Sequence, residues 1–183
     1  MRKLVYAINI SIDGCLDHTK MNANEEMHEF WAKVILDAGL LVYGRITYQL
    51  MVPFWPDVAK NHSMSKTSND FADAFDAIDK VVFSKSLGKV EDKKTTVIRT
   101  DLKAGILKLK QEPGKDMLAG GVDLPSQLIA LGLVDEFLFV VNPVIAGGGR
   151  GLFDGISLPK RLELKLIDSK VFRSGHVALR YLR

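Results

Sequence analysis

Met117-Leu118-Ala119-Gly120-Gly121-Val122 decides the fold: a short apolar run breaks at two glycines and passes at once into an amphipathic stretch, residues 122–131, that Gly132 ends. A strand that turns directly into a helix is half of a strand-helix-strand crossover, the unit from which parallel sheets are built. Two glycines at that point let an anion approach the backbone, and the helix start offers N–H groups and the positive end of its dipole. Taken alone the pair is more often a plain tight turn. The three spaced glycines of the common dinucleotide fingerprint are absent.

The same alternation extends towards the N-terminus. Residues 4–10 are rich in β-branched and aromatic side chains and lead to Asp13-Gly14, so they read as a buried strand and a turn. Asn24 caps a helix whose first turn holds Glu25 and Glu26, whose apolar spacing runs through Phe30, Val34, Ile35 and Ala38, and whose stop is Gly39. Residues 40–43 form a second strand closed by Gly44, and 46–51 a helix limited by Pro53. The stretch 53–69 has two prolines and no apolar period, which predicts a loop, with a short helix over 71–78 after it. Strands follow over 80–84 and 95–99, with an amphipathic helix over 102–110. Beyond Gly132 the pattern changes to strands over 137–141, 162–166 and 177–182 with no helix between the last of them, which predicts antiparallel additions to the sheet.

Composition bounds the rest. A chain of 183 residues, 47% hydrophobic and 26% charged, can build one full core, and residues 1–183 read as a single domain. The net charge of +3 arises from 25 basic and 22 acidic residues with no basic block, so a nucleic-acid partner is not indicated. Cys15 is the one cysteine and has no internal partner for a disulfide, which fits a reducing, cytoplasmic setting. Asn9, Ser11 and Asp13 interrupt the apolar stretch after the basic start, so it reads as a strand and not a signal peptide. No run approaches the roughly 20 apolar residues of a membrane helix. His18, His28, His62 and His176 lack the spacing and the company of a metal site, and none is expected.

Two further segments match the position of the Gly-Gly turn. Gly44-Arg45-Ile46-Thr47-Tyr48 follows a strand and opens a helix, with Arg45 suited to a phosphate and Thr47 offering a hydroxyl in the first turn. Ser84-Lys85-Ser86 follows the strand Val81-Val82-Phe83. Each has a bland reading as a solvated turn, but the carboxyl edge of one sheet would gather all three on one rim.

In this order the segments resemble the dihydrofolate reductase-like superfamily, and in particular the RibD C-terminal domain of riboflavin biosynthesis proteins. The resemblance runs through Ser11-Ile12-Asp13-Gly14, Gly44-Arg45-Ile46-Thr47-Tyr48, Val82-Phe83-Ser84-Lys85, Gly120-Gly121-Val122-Asp123-Leu124 and Gly132-Leu133-Val134-Asp135-Glu136. It ends with the run from Pro143 through Gly147-Gly148-Gly149 to Phe153. It implies a three-layer α/β/α fold with a central mixed, mostly parallel sheet and antiparallel C-terminal strands. It also implies NADPH as cofactor, with Arg45, Ser84 and Lys85 at the adenosine 2′-phosphate and Thr47 at the pyrophosphate. Gly120, Gly121 and Val122 would cradle that pyrophosphate, with a cis peptide between the glycines as one way of doing so. The activity implied is hydride transfer to a flat heterocycle, a pteridine, pyrimidine or related compound, of the kind reduced in riboflavin synthesis.

On the substrate side Asp13 is expected to contact the substrate or relay a proton, or only to shape its turn. Asn9, Trp31 and Trp55 are the other candidates, the two indoles as surfaces on which a flat ring stacks, although aromatics on helices and near prolines are more often core anchors. The apolar C-terminal strands suit a homodimer, and suit strand edges buried within one copy equally well. The rival to a reductase is a non-catalytic nucleotide-binding or regulatory protein on the same fold.

Overall fold

In the computed structural model, which describes residues 1–183, neighbouring strands follow the order β4-β3-β2-β5-β1-β6-β8-β7 in a mixed, mostly parallel sheet of eight. The strands are β1 Leu4–Ser11, β2 Leu40–Gly44, β3 Lys80–Phe83, β4 Thr95–Ile98, β5 Met117–Ala119, β6 Glu136–Asn142, β7 Lys165–Val171 and β8 Val177–Leu182. The helices are α1 Glu25–Asp37, α2 Arg45–Met51, α3 Trp55–Asn61, α4 Lys66–Ala77, α5 Leu102–Gln111 and α6 Asp123–Ala130. No helix is long and apolar enough to cross a membrane. The α/β class and the antiparallel C-terminal strands are as the sequence predicts. Two compact units divide the contacts: Met1–Arg2 with Ala23–Leu118, and Lys3–Asn22 with Ala119–Arg183.

In the first unit β2, β3 and β4 are parallel, with Gly44 opposite Phe83 and Phe83 opposite Ile98. Leu41, Val42, Val81 and Val82 are buried along them. The Asn24 side chain accepts the Met27 N–H at 3.0 Å to start α1, as its position predicts. The residues of α1 that bury most fully are Met27, Ala32 and Ile35, so the apolar face is rotated from the one expected.

The expected loop over 53–69 is a correction. It contains α3 and the start of α4. Pro56 stands in the first turn of α3, where a missing N–H costs nothing, and Ser65 caps α4 by accepting the Ser68 N–H. Phe71 and Phe75 of α4 are buried, and α4 packs against both α1 and α3. Asp101 caps α5 through the Ala104 N–H at 2.9 Å.

In the second unit β1 runs parallel to β6, and β8 is antiparallel to both β6 and β7. The buried Glu136 of β6 accepts from Arg180 of β8 and from Lys3, the residue before β1, each at 2.7 Å. The last but one strand lies over 165–171 and not 162–166, with a register irregularity between Leu166 and Asp168. Every residue of β7 is exposed, so its placement follows from the ladder with β8 and not from burial.

Candidate functional site

In the first unit the parallel register brings three strand ends level. Gly44, Phe83 and Ile98 are ladder partners, so the next residues, Arg45, Ser84 and Arg99, stand in a row at the carboxyl edge. Gly44 is the N-cap of α2 in extended conformation and supplies no side-chain bond to the first turn. Arg45 is exposed, its Nη1 donating to Gln49 Oε1 at 2.9 Å one turn along, while Thr47 is half-buried in the first turn.

Ser84 organises the loop behind β3. Its Oγ accepts the N–H of Leu87 at 2.9 Å and of Ser86 at 3.3 Å, and the buried Leu87 pins the loop. Both contacts use the oxygen as acceptor, which leaves the hydroxyl hydrogen as a donor. Lys85 beside it is exposed. Sequence reasoning missed Arg99. Its Nη1 donates to Ser84 O at 3.3 Å and Lys85 O at 3.2 Å, and its Nη2 to Leu87 O at 2.6 Å. The signal was present, since Arg99 follows an apolar strand just as Arg45 does.

The two indoles belong to the first unit as well. Trp55 meets Phe71 at 4.5 Å, Phe54 at 4.9 Å and His28 at 5.9 Å between ring centroids, inside the cluster where α1, α3 and α4 meet. His28 is held by a bond between its Nδ1 and Ser68 Oγ at 3.1 Å, and burial lowers its pKa. Trp31 pairs with Phe30 at 5.4 Å and stays half-exposed.

In the second unit the turn after β5 takes the form expected of glycine: Gly121 has φ 91°, a backbone that other residues adopt only with strain. Every peptide bond is trans, so the cis peptide that was one way of cradling an anion here is not used. The fully buried Tyr6 donates its hydroxyl to Gly121 O at 3.1 Å, and burial pushes the pKa of that hydroxyl far up. Val122, the N-cap of α6, supplies no side-chain bond. Asp123 opens the helix and is paired with Arg150, so the positive end of α6 already has one anion beside it. Pro125 in the first turn has no N–H to leave unpaired.

Asp13 is exposed at the end of β1, and its carboxylate receives three bonds. Ser11 Oγ donates to Oδ1 at 2.5 Å, Ala146 N to Oδ1 at 2.9 Å and Gly147 N to Oδ2 at 2.8 Å. These donors, Ser11 first, hold the carboxyl well below the ordinary range, at about 2. Lys20 strengthens the same connection by donating to Gly148 O at 2.9 Å. Asp13 is therefore an anion that anchors the segment after Pro143, and a proton relay would need its pKa moved the other way. Asn9 lies inside β1 opposite Val140 and is half-buried, on the face that carries Ser11. No group of His, Cys, Asp and Glu is arranged to hold a metal ion.

The mixed, mostly parallel α/β sheet with antiparallel C-terminal strands is the fold of dihydrofolate reductase-like proteins. The chain belongs to the RibD C-terminal domain family, which matches residues 2–178, and that family is a riboflavin-pathway type of reductase domain. It is 28% identical over 190 residues to the uncharacterized protein YyaP of Bacillus subtilis (strain 168), covering 98% of this chain and 94% of YyaP. Among solved structures it is similar to a Shewanella sp. PV-4 protein provisionally assigned to riboflavin biosynthesis. That match has a TM-score of 0.75 and 19% identity, covering 100% of this chain and 99% of the other. It is also similar to a Thermotoga maritima diaminohydroxyphosphoribosylaminopyrimidine deaminase/5-amino-6-(5-phosphoribosylamino)uracil reductase, with a TM-score of 0.67, 13% identity, 99% of this chain and 56% of the other.

Proposed function

We propose that this chain is an NADPH-dependent reductase of a flat heterocycle, a pteridine, pyrimidine or related compound. The observation that carries the reading is the row of Arg45, Ser84-Lys85 and Arg99 at three adjacent parallel strand ends, in a chain of a reductase-domain family. The donor set suits a phosphate monoester. Arg45 provides a planar fork, Lys85 a mobile charge, and Ser84 a hydroxyl whose oxygen is already fixed by two backbone N–H groups.

When bound, NADPH supplies the hydride. The protein's part is binding and orientation: Arg45, Ser84 and Lys85 hold the 2′-phosphate, while Gly44 and Thr47 border the phosphate chain. In the second unit Gly120, Gly121 and Val122 offer a backbone that an anion can approach, in a turn that Tyr6 steadies through Gly121 O. Trp55 is packed against Phe54 and Phe71 and anchors the helix cluster, which leaves Trp31 in the first unit and Asn9 in the second as the residues assigned to the substrate side. Asp13 acts there by fixing the Ala146–Gly147 backbone as an anion.

A non-catalytic binding protein is the second reading, favoured by one observation: Asp13 is held ionised by three donors and is a poor proton source. Thermal unfolding with and without NADPH tests the first claim. A native-state ligand at a hundredfold excess over its Kd adds about 2.7 kcal/mol, so Tm should rise clearly. No rise at concentrations well above micromolar removes the cofactor and the reductase together. A rise in Tm with no NADPH oxidation across a panel of pteridines and pyrimidines favours the binding protein.

A further inference from the structure

The carbonyl oxygens of a loop that must accept an anion are its liability, because each is a partial negative charge that repels a phosphate. The Ser84–Leu87 loop has that liability managed by one side chain. Arg99 draws the carbonyls of Ser84, Lys85 and Leu87 to a single guanidinium, at 3.3, 3.2 and 2.6 Å. Its planar fork fixes the directions of those bonds in a way that an ammonium cannot. A trans peptide is planar, with C=O and N–H on opposite sides. Turning the Ser84 and Lys85 carbonyls towards Arg99 therefore turns the N–H groups of Lys85 and Ser86 the other way. The Ser86 N–H meets Ser84 Oγ, the oxygen that also takes the Leu87 N–H. The Ser84, Lys85 and Leu87 carbonyls thus meet Arg99, while the Ser86 and Leu87 N–H groups meet Ser84 Oγ.

Resting on the cofactor reading above, we propose that Arg99 is a positioning residue that sets the preference for the 2′-phosphorylated dinucleotide over the unphosphorylated one. It acts through the shape of the Ser84–Leu87 loop. All of its hydrogen bonds go to loop carbonyls, so its charge is committed to the backbone. Because exposed charge-assisted contacts of this kind contribute little to global stability, their loss should alter the loop and leave the fold intact.

The test uses the full chain, as wild type, Arg99→Lys and Arg99→Gln, with far-UV circular dichroism and Tm as checks on folding. Calorimetric Kd values for NADPH and NADH are measured for each, together with amide exchange at Ser86 and Leu87 in the cofactor-free proteins. Wild type is expected to prefer NADPH. Both variants are expected to lose roughly tenfold in NADPH affinity, the worth of about one hydrogen bond to a charged group, while NADH binding changes little. Faster exchange at Ser86 and Leu87 should accompany the loss in both.

Two results overturn the role of Arg99 while sparing the cofactor reading. One is an unchanged NADPH-to-NADH ratio in both variants. The other is a ratio kept by Arg99→Lys and lost in Arg99→Gln, which would mean that the charge acts on the phosphate directly. A wild type that binds NADPH and NADH equally also removes the selectivity claim. A wild type that binds neither removes the cofactor reading, and the role of Arg99 falls with it.

Discussion

The Asp13 carboxylate is bonded by Ser11 Oγ, Ala146 N and Gly147 N, and the charged form is the one these donors favour. Its pKa falls from the ordinary 3.8 to about 2, so the folded state binds its proton less readily than the unfolded state does. Stability from this group is then fully present above the unfolded value and is lost as pH falls from 3.8 towards 2. Asp13→Asn should lower the urea midpoint near neutral pH, and the gap to wild type should close on acidification through that window. A gap that persists unchanged at low pH would mean that the charge is not what holds the Ala146–Gly147 backbone. At this scale the sequence found Asp13 and Gly121 through their turn chemistry. It did not show which partners occupy the Asp13 oxygens, because Ala146 and Gly147 lie more than a hundred positions away along the chain.

Elements were legible where capping and period agreed. Asn24, with Glu25 and Glu26 behind it, marks the start of α1, and the Asn24 oxygen takes the Met27 N–H as that pattern requires. The segment 53–69 was illegible because proline reads as a breaker unless its position in a first turn is known, and Pro56 occupies such a turn. β7 was misplaced by a few residues because Leu162, Leu164 and Leu166 alternate like a strand, whereas hydrogen bonding to β8 begins at Lys165. One contact between elements bears on the edge proposed for the cofactor. A Cβ at Gly105 of α5 would lie 2.6 Å from Cε1 of Phe83, the residue before Ser84. The helix gains about 1 kcal/mol from Gly to Ala, but overpacking a ring edge costs about 1–3 kcal/mol. Gly105→Ala should therefore lose stability by up to about 2 kcal/mol in urea titration. A neutral or stabilising result would show that Phe83 swings aside freely.

At the scale of the molecule, the second unit leaves part of one sheet face apolar. Ile10, Phe139, Val141, Leu179 and Tyr181 lie in register on it and, with Leu164, line a groove of about 380 Å³. None of them is charged, and a charged partner surface would bury its charges there without counter-ions. Half-buried apolar side chains aligned on one sheet face suit contact with another apolar face. We therefore propose a second copy of this chain as the occupant, in an isologous pair that sets one uncharged face on the other. Sedimentation should give twice the chain mass, and Leu179→Glu should give the single-chain mass with an unchanged circular dichroism spectrum. A wild type that sediments as one chain at roughly tens of micromolar removes the pairing.

The order of the strands and of the helices other than α3, the parallel core with antiparallel strands at the end, and the positions of Arg45, Ser84 and Gly120-Gly121 were determined by the sequence itself. Period, caps and turn residues act over a few neighbouring positions, and they can be read without knowing what lies opposite. Tertiary structure alone decided that Arg99 crosses from β4 to the loop behind β3 and that Asp13 is spent on a distant backbone. It also decided that Trp55 sits in a helix cluster. Each of these depends on which strand ends or helices the chain brings level, and that is set by long-range pairing, which no local pattern encodes.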